Sequence, residues 1–305
     1  SLQYKYEYVL EVESYNFPPS QDVKSMKNFL NKHLFFALLF ITIPIQAKIS
    51  TTKISNKISS FFSKSKEETI HQEFNNVTRL EIFSNHAAIN IECWKQNCVL
   101  VELKKKGNAA FLETIQLKTL KKDGTLQIST DMQDETISGT ATIRILVPKN
   151  IAIHAQTISK SIIIKKVSGP LEIASDYGDV SIIQGSNTVI AKTQHSNILI
   201  QRKKMKSDHT LNISSLSGNI TLAVPQNINA DLQAHTTSGK IISDLFVTLH
   251  PQTIQLHEET FKNMHHHVHG MIGQPILHVE PATILLSTES GNIKIYGYDH
   301  INKKK

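Results

Sequence analysis

The chain has 305 residues, a formal charge of +7, two cysteines, and aromatic residues at 7%. Its length suits one large or two ordinary domains. A single pair of cysteines leaves no second pair for a thiolate metal centre, and so few aromatics suit a core of Ile, Val and Leu rather than stacked rings.

Residues 1–25 show no link to the rest of the chain, and they read as upstream sequence translated from a misplaced start. Met26 opens a recognisable segment: Lys27 and Lys32 form a basic region, Leu34 to Ile45 an apolar run of twelve, and Ile45-Gln46-Ala47 a small-residue exit. Residues 26–47 are therefore expected to be a secretory signal cleaved between Ala47 and Lys48. The run is shorter than the roughly 20 residues that span a bilayer, although an uncleaved anchor is the alternative. No cysteine follows closely, so a lipid anchor is not expected.

From Lys48 to about residue 70 the chain is rich in Ser, Thr, Lys and Ile and reads as a basic linker. Such a tether either is simply solvated or is attracted to an anionic surface. Alternation starts at Val77: Leu80/Ile82, Ile89/Ile91, Val99/Val101, Ile115/Leu117, Leu126/Ile128 and Ile143/Ile145. Period two places each pair on one strand face. These strands predict an N-terminal β cap over the first repeat.

From Ile153 to Ile241 a nine-residue unit recurs. Turn positions Lys160, Gly169, Gly178, Asn187 and Ser196 are each followed two residues later by Ile162, Leu171, Val180, Val189 and Ile198. The unit returns at Gly218/Ile220, Gly239/Ile241 and Gly291/Ile293. Glycine at the corners is expected for positive φ. One strand buries two aliphatics, about 1.5–3 kcal/mol each, against about 1–2 kcal/mol of backbone entropy per ordered residue. Single units cannot stand alone, so stacking is required. The expected fold is all-β, a β-solenoid of short strands, with an antiparallel β-sandwich as the alternative.

A longer repeat overlies the short one: VPKNIAIHAQTISKSI from Val147 returns as VPQNINADLQAHTTSGKI from Val224. Two Ser-Gly-x-Ile motifs bracket the second Val-Pro turn. On these residues the stretch from Val77 to Gly297 resembles the bacterial β-strand-repeat family labelled putative adhesin, a domain of unknown function of the 4097 type. The resemblance implies an exported all-β domain and brings no catalytic residues. Lys160 and Ser196 depart from its usual glycine.

Cys93 and Cys98 flank four residues between strand-like neighbours, so they could face each other across a tight hairpin. A disulfide is the natural reading in an oxidising compartment, and two free thiols are the alternative. Between Gly239 and Gly291 lies a His-rich insertion, about residues 245–275, with His265, His266, His267 and His269. Clustered imidazoles can bind zinc, copper or nickel adventitiously, but a solvent-exposed insertion between rungs is the favoured reading. The best acidic cluster is Glu172, Asp176 and Asp179, which paired-carboxylate glycan chemistry would use and which turn formation also explains. No nucleophile elbow, zincin motif or phosphate-binding glycine loop occurs.

Arg202-Lys203-Lys204-Met205-Lys206, Lys104 to Lys106 and Lys303 to Lys305 are basic runs without interleaved aromatics, so nucleic acid is not the expected partner. The expectation is an exported, non-enzymatic surface or envelope module with no cofactor. Its expected partners are anionic envelope polymers or surface ligands, met in the periplasm, on the outer surface or after secretion. A polysaccharide-acting enzyme and a metal-responsive envelope protein are the alternatives.

Overall fold

The computed structural model describes residues 50–52, 65–132, 139–185, 187–249, 266–273 and 279–299. The expected signal segment and its cleavage site at Ala47 and Lys48 lie outside them. No helix among the described residues is long and apolar enough to cross a membrane.

The alternation read from Val77 onward becomes strand throughout. The chain begins β1 (Ser50–Thr52), β2 (Lys66–Asn75), β3 (Arg79–Ser84), β4 (Ala87–Cys93) and β5 (Cys98–Gly107). A six-residue helix, α1 (Ala109–Thr114), precedes β6 (Ile115–Lys122), β7 (Thr125–Met132) and β8 (Gly139–Val147). The repeats supply β9 (Ala152–Thr157), β10 (Ile162–Lys165), β11 (Leu171–Ser175), β12 (Val180–Ile183), β13 (Thr188–Thr193) and β14 (Ile198–Gln201). Then come β15 (Thr210–Ser215), β16 (Ile220–Val224), β17 (Asn229–Thr236) and β18 (Ile241–Ser243). The last four are β19 (Val247–Leu249), β20 (His267–Gly273), β21 (Ala282–Thr288) and β22 (Ile293–Gly297).

They form two stacked sheets of eleven strands. One runs β1-β2-β5-β8-β4-β10-β12-β14-β16-β22-β18; the other runs β19-β20-β17-β21-β15-β13-β11-β9-β3-β7-β6. In the body, every neighbour pairs in parallel and in register. Ile162 lies beside Val180 and Val180 beside Ile198 in the first sheet, while Ile153, Leu171 and Val189 align in the second. The nine-residue unit is thus half a rung, because successive units alternate between sheets and the ladder repeats every second unit. Parallel stacking makes the body a β-solenoid and not the antiparallel sandwich. Inward aliphatics of both sheets merge into one core, with Ile89, Ile162, Ile220, Leu211 and Ile284 fully buried.

Sequence order and spatial order part company at both ends. β7 and β8 stack outside β3 and β4, although they come later in the chain. At the far end, β21 lies between β15 and β17, and β22 between β16 and β18. The chain lays its outer rung first, makes an excursion, and returns to fill the gap. That excursion explains why Gly239 and Gly291 are so far apart in sequence. Part of the His-rich insertion is itself strand: β20 pairs antiparallel with β17, and β19 pairs antiparallel with β20, so together they extend the second sheet.

The N-terminal end is closed by antiparallel β2, β5 and β6 and by α1. Asn108 caps α1 by accepting from Phe111 N at 2.8 Å, an ordinary N-cap. Phe111 is buried under the paired glycines Gly107 and Gly139.

The corner glycines have a different cause from the one expected. Among the described glycines only Gly124, Gly185 and Gly273 have positive φ. In the corner column, Gly178 lies against Lys160, Gly218 against Ser196, Gly291 against Gly218 and Gly239 against Gly291. A Cβ on Gly178 would sit 1.9 Å from Lys160 O. Close stacking of rungs, not φ, requires glycine there.

Candidate functional site

Each rung turns twice. At the first corner, between a second-sheet strand and a first-sheet strand, a Ser or Thr stands three residues before the corner residue. Ser175 Oγ donates to Gly178 O at 2.6 Å and accepts from Gly178 N at 2.9 Å. Thr193 donates to Ser196 O at 2.9 Å, Thr236 accepts from Gly239 N at 3.0 Å, and Thr288 donates to Gly218 O at 3.1 Å. These hydroxyls are buried, so satisfying them is obligatory.

One residue beyond each corner residue runs an amide ladder. Asn197 N donates to Asp179 Oδ1 at 2.9 Å, Asn219 N to Asn197 Oδ1 at 3.0 Å, and Asn292 N to Asn219 Oδ1 at 2.9 Å. Lys240 N closes the series on Asn292 Oδ1 at 2.9 Å. Aliphatic periodicity does not reveal either ladder, but the pattern Ser/Thr-x-x-corner-Asn does appear in the sequence.

The acidic cluster is absorbed by this scaffold. Asp179 begins the amide ladder, Asp176 Oδ1 accepts from Gln194 Nε2 at 3.0 Å, and Glu172 pairs with His154 Nδ1 at 3.1 Å. The His154 hydrogen bond holds the Glu172 carboxyl below its usual range. All three acids have protein partners.

Outside the ladders, the same corner projects a ridge. Tyr177 is 62% exposed, Leu216 41% and Ile158 38%. Tyr177 stacks on His195 of the next rung, with centroids 5.1 Å apart and planes 21° apart. His195 Nδ1 lies 3.5 Å from Ser217 Oγ. The result is a strip of one apolar or aromatic residue per rung over four rungs, with Asp176 and Gln194 beside it; the next rung carries Glu289 in place of Leu216.

The histidines lie further along the second sheet, on β17 and β20. His267 is paired with His235 across β17 and β20, their rings 5.9 Å apart. His269 Nε2 is 3.6 Å from Asp231 Oδ1. His266 accepts Thr236 N at its carbonyl, while its Nδ1 is buried without a partner. Burial, then the charges of His235 and His269, lowers the His267 pKa. Among the described residues no three His, Cys, Asp or Glu side chains are grouped to hold a metal ion; His265 lies outside them. Nearby, a shallow groove of about 210 Å³ is lined chiefly by Leu232, Ile241, Val247, Leu249, Val268 and Ile295. It is smaller than the roughly 300 Å³ at which small-molecule sites begin.

Cys93 and Cys98 do not flank a hairpin. β8 lies between β4 and β5, and the turn arches over its end, with Trp94 N donating to Val147 O at 3.0 Å. No bond joins their sulfurs in the structure. Burial, then Glu73, raises the Cys98 pKa. Of the basic runs, Lys105 is buried and reaches Glu68 at 3.3 Å, and Arg202 is also buried. Lys303 to Lys305 lie outside the described residues.

A flattened β-solenoid closed by hydroxyl and amide ladders defines the class: a β-repeat scaffold with a patterned edge. Residues 170–296 match the family model described as Toastrack DUF4097, which supports the resemblance read from the repeat motifs. Among solved structures, one described as a "putative cell adhesion protein" from Clostridium sporogenes is 12% identical, with a TM-score of 0.46. It covers 77% of this chain and 100% of its own. A "putative adhesin" from Bacteroides fragilis is 14% identical over 76% of this chain and 98% of its own, with a TM-score of 0.37. A "putative lipid binding protein" from Parabacteroides distasonis is 12% identical over 74% and 96%, with a TM-score of 0.24. No curated protein matches the chain.

Proposed function

We propose that the chain is an exported, non-catalytic surface module that binds an envelope polymer along its first-corner ridge. The observation that carries this reading is the line of Ile158, Tyr177, His195 and Leu216, held outward by a corner whose own polar groups bond to one another. Exposed aromatic and aliphatic side chains in contiguous strips favour partner contact over solvation. The rungs set these side chains one strand spacing apart, about 4.8 Å, which suits an extended chain more than a compact ligand. Non-catalytic action is supported by the structural employment of Glu172, Asp176 and Asp179.

The test is retention of full-length protein on isolated envelope polymers, comparing wild type with Tyr177→Ala and Leu216→Ser. Loss of retention with an unchanged unfolding midpoint supports the ridge; equal retention by both variants rejects it. Export has its own test in cell fractionation with N-terminal mass spectrometry. A mature chain starting at Lys48 in an envelope fraction supports it, and a cytosolic chain retaining Met26 rules it out.

A further inference from the structure

On the edge opposite the ridge, one rung is longer than its neighbours. Val189 pairs with Leu211 although β11 to β13 repeats at Leu171 and Val189, so four extra residues (211 − 189 = 22, against 189 − 171 = 18) enter between β14 and β15. They form a loop from Arg202 to His209. Arg202 starts it in step with the ladder, donating its N–H to Ala223 O at 2.8 Å. By alternation after Ile198 and Ile200 its side chain points inward, and it is 1% exposed.

A guanidinium so deeply buried is ordinarily paired, because an uncompensated charge in the interior is among the costliest groups a fold can hold. Here its polar contact is Nη1 to His209 Nδ1, at 3.1 Å. Since guanidinium only donates, Nδ1 is the unprotonated nitrogen and His209 is neutral. Its other nitrogen faces Asp208 Oδ1 at 3.6 Å. That carboxylate is on the exposed side, 67% exposed, and among the described residues no carboxylate pairs with Arg202. Burial lowers its pKa to about 10, so the charge persists at neutral pH.

The remaining nitrogens, Nε and Nη2, are buried and without partners. They belong to one edge of the guanidinium, the edge whose two parallel N–H bonds match two oxygens of a carboxylate or phosphate. Lys203, Lys204 and Lys206 are exposed on the loop above. Met205 between them packs against the core, and His209 N closes the loop by donating to Lys206 O at 3.1 Å.

We propose that Arg202 and its loop form a binding site for a small oxyanion of the phosphate class, with the Nε and Nη2 edge as the fork and the loop lysines as the attracting rim. The anion supplies the missing countercharge, and it reaches the fork when Met205 lifts from the core. The same chemistry is offered by free inorganic phosphate and by a phospholipid headgroup. The site does not depend on the ridge or on export.

The test is thermal unfolding of the full chain against inorganic phosphate, at ionic strength held constant with chloride. A ligand that binds only the folded state raises the midpoint with its concentration, so wild type should show a saturable rise. Arg202→Met should abolish that rise and be no less stable than wild type without phosphate, since it removes an unpaired buried charge. Arg202→Lys, which keeps charge but not the fork, should bind at least about tenfold more weakly. Replacing Lys203, Lys204 and Lys206 by Ser should weaken the response and leave it saturable. A separate arm uses sedimentation with phosphatidylglycerol vesicles: Arg202-dependent binding that phosphate displaces identifies the headgroup, and a phosphate response without vesicle binding identifies the free ion. No saturable response in wild type, an equal response in Arg202→Met, or a response lost only with the lysines overturns the proposal.

Discussion

Gly239 stacks on Gly291 so closely that a Cβ built on it would fall 1.7 Å from the Gly291 carbonyl oxygen. Gly291 in turn lies against Gly218. The residue latest in sequence is the middle of the stack. Gly291→Ala therefore forces two rungs apart, where backbone cannot yield as a side-chain tip can. Overpacking of this kind costs about 3 kcal/mol. Urea unfolding should show that loss, and Gly297→Ala, whose nearest neighbour is the flexible Gln226 side chain at 3.1 Å, should cost much less.

The amide ladder has a direction, and this predicts an asymmetry between two isosteric changes. Asp179 only accepts, from Asn197 N and Nδ2 at 2.9 and 3.3 Å, so Asp179→Asn keeps its role through the amide oxygen. Asn197 both donates below and accepts from Asn219 above, at 3.0 and 3.1 Å. Asn197→Asp removes the donor and sets a carboxylate against Asp179. The first change should alter stability by less than about 0.5 kcal/mol, the second by about 1–2 kcal/mol. Equal effects would contradict the ladder.

These relationships mark how far the sequence can be read. Ile162/Ile164 and Leu171/Ile173 declare strand and facing by period two alone, and their spacing declares a stack. Which rung sits on which is set by contacts remote in sequence: nothing local to Gly239 says that Gly291 will intervene. The corner hydroxyls and asparagines are visible as letters, yet they carry no hydrophobic signal, so a reading organised by aliphatic periodicity passes over them. Arg202 is the sharpest case. Within Arg202-Lys203-Lys204-Met205-Lys206 it looks like one more solvated cation, and only the register of β14 turns it inward.

Acid should destabilise the fold in two windows. The His209 pKa is lowered by burial first and then by Arg202, and that of His267 by burial and then by His235 and His269. A depressed folded pKa means the unfolded chain binds the proton more readily, so stability is full above the ordinary value of 6.5 and declines as pH falls below it. Glu172, lowered by His154, adds stability above 4.5 that is lost as pH falls through its folded value. Urea unfolding at a series of pH values should show both declines. His209→Gln, which still offers Arg202 an acceptor, should flatten the first; an unchanged slope would remove His209 from the account.

The arch over β8 bears on the two thiols. Strands on either side of a third lie about 9–10 Å apart at a spacing of about 4.8 Å, whereas a disulfide joins Cα atoms about 4.4–6.8 Å apart. Closing Cys93 onto Cys98 would pull the arch away from Val147. The expected result for protein purified in air is two separately alkylated thiols, with Cys98 slower because it is buried and its pKa is raised. An intact mass lower by the two thiol hydrogens would instead establish the bond.

The N-terminal plug can be tested as a pair. Gly107 and Gly139 face each other in register, and a Cβ on either would fall 2.6 or 2.4 Å from Phe111 Cδ1. The two missing side chains make the slot that the ring fills. Phe111→Ala empties it, at about 3–5 kcal/mol for a buried Phe. Gly139→Ala overfills it, at about 1–3 kcal/mol. In the double variant the new methyl meets space instead of a ring, so the combined loss should fall short of the sum by about 1 kcal/mol or more, within the roughly 0.5–3 kcal/mol range of contacting residues. Simple additivity in urea unfolding would mean that ring and glycine do not share a slot, and that the end of the solenoid is closed by β2, β5 and β6 alone.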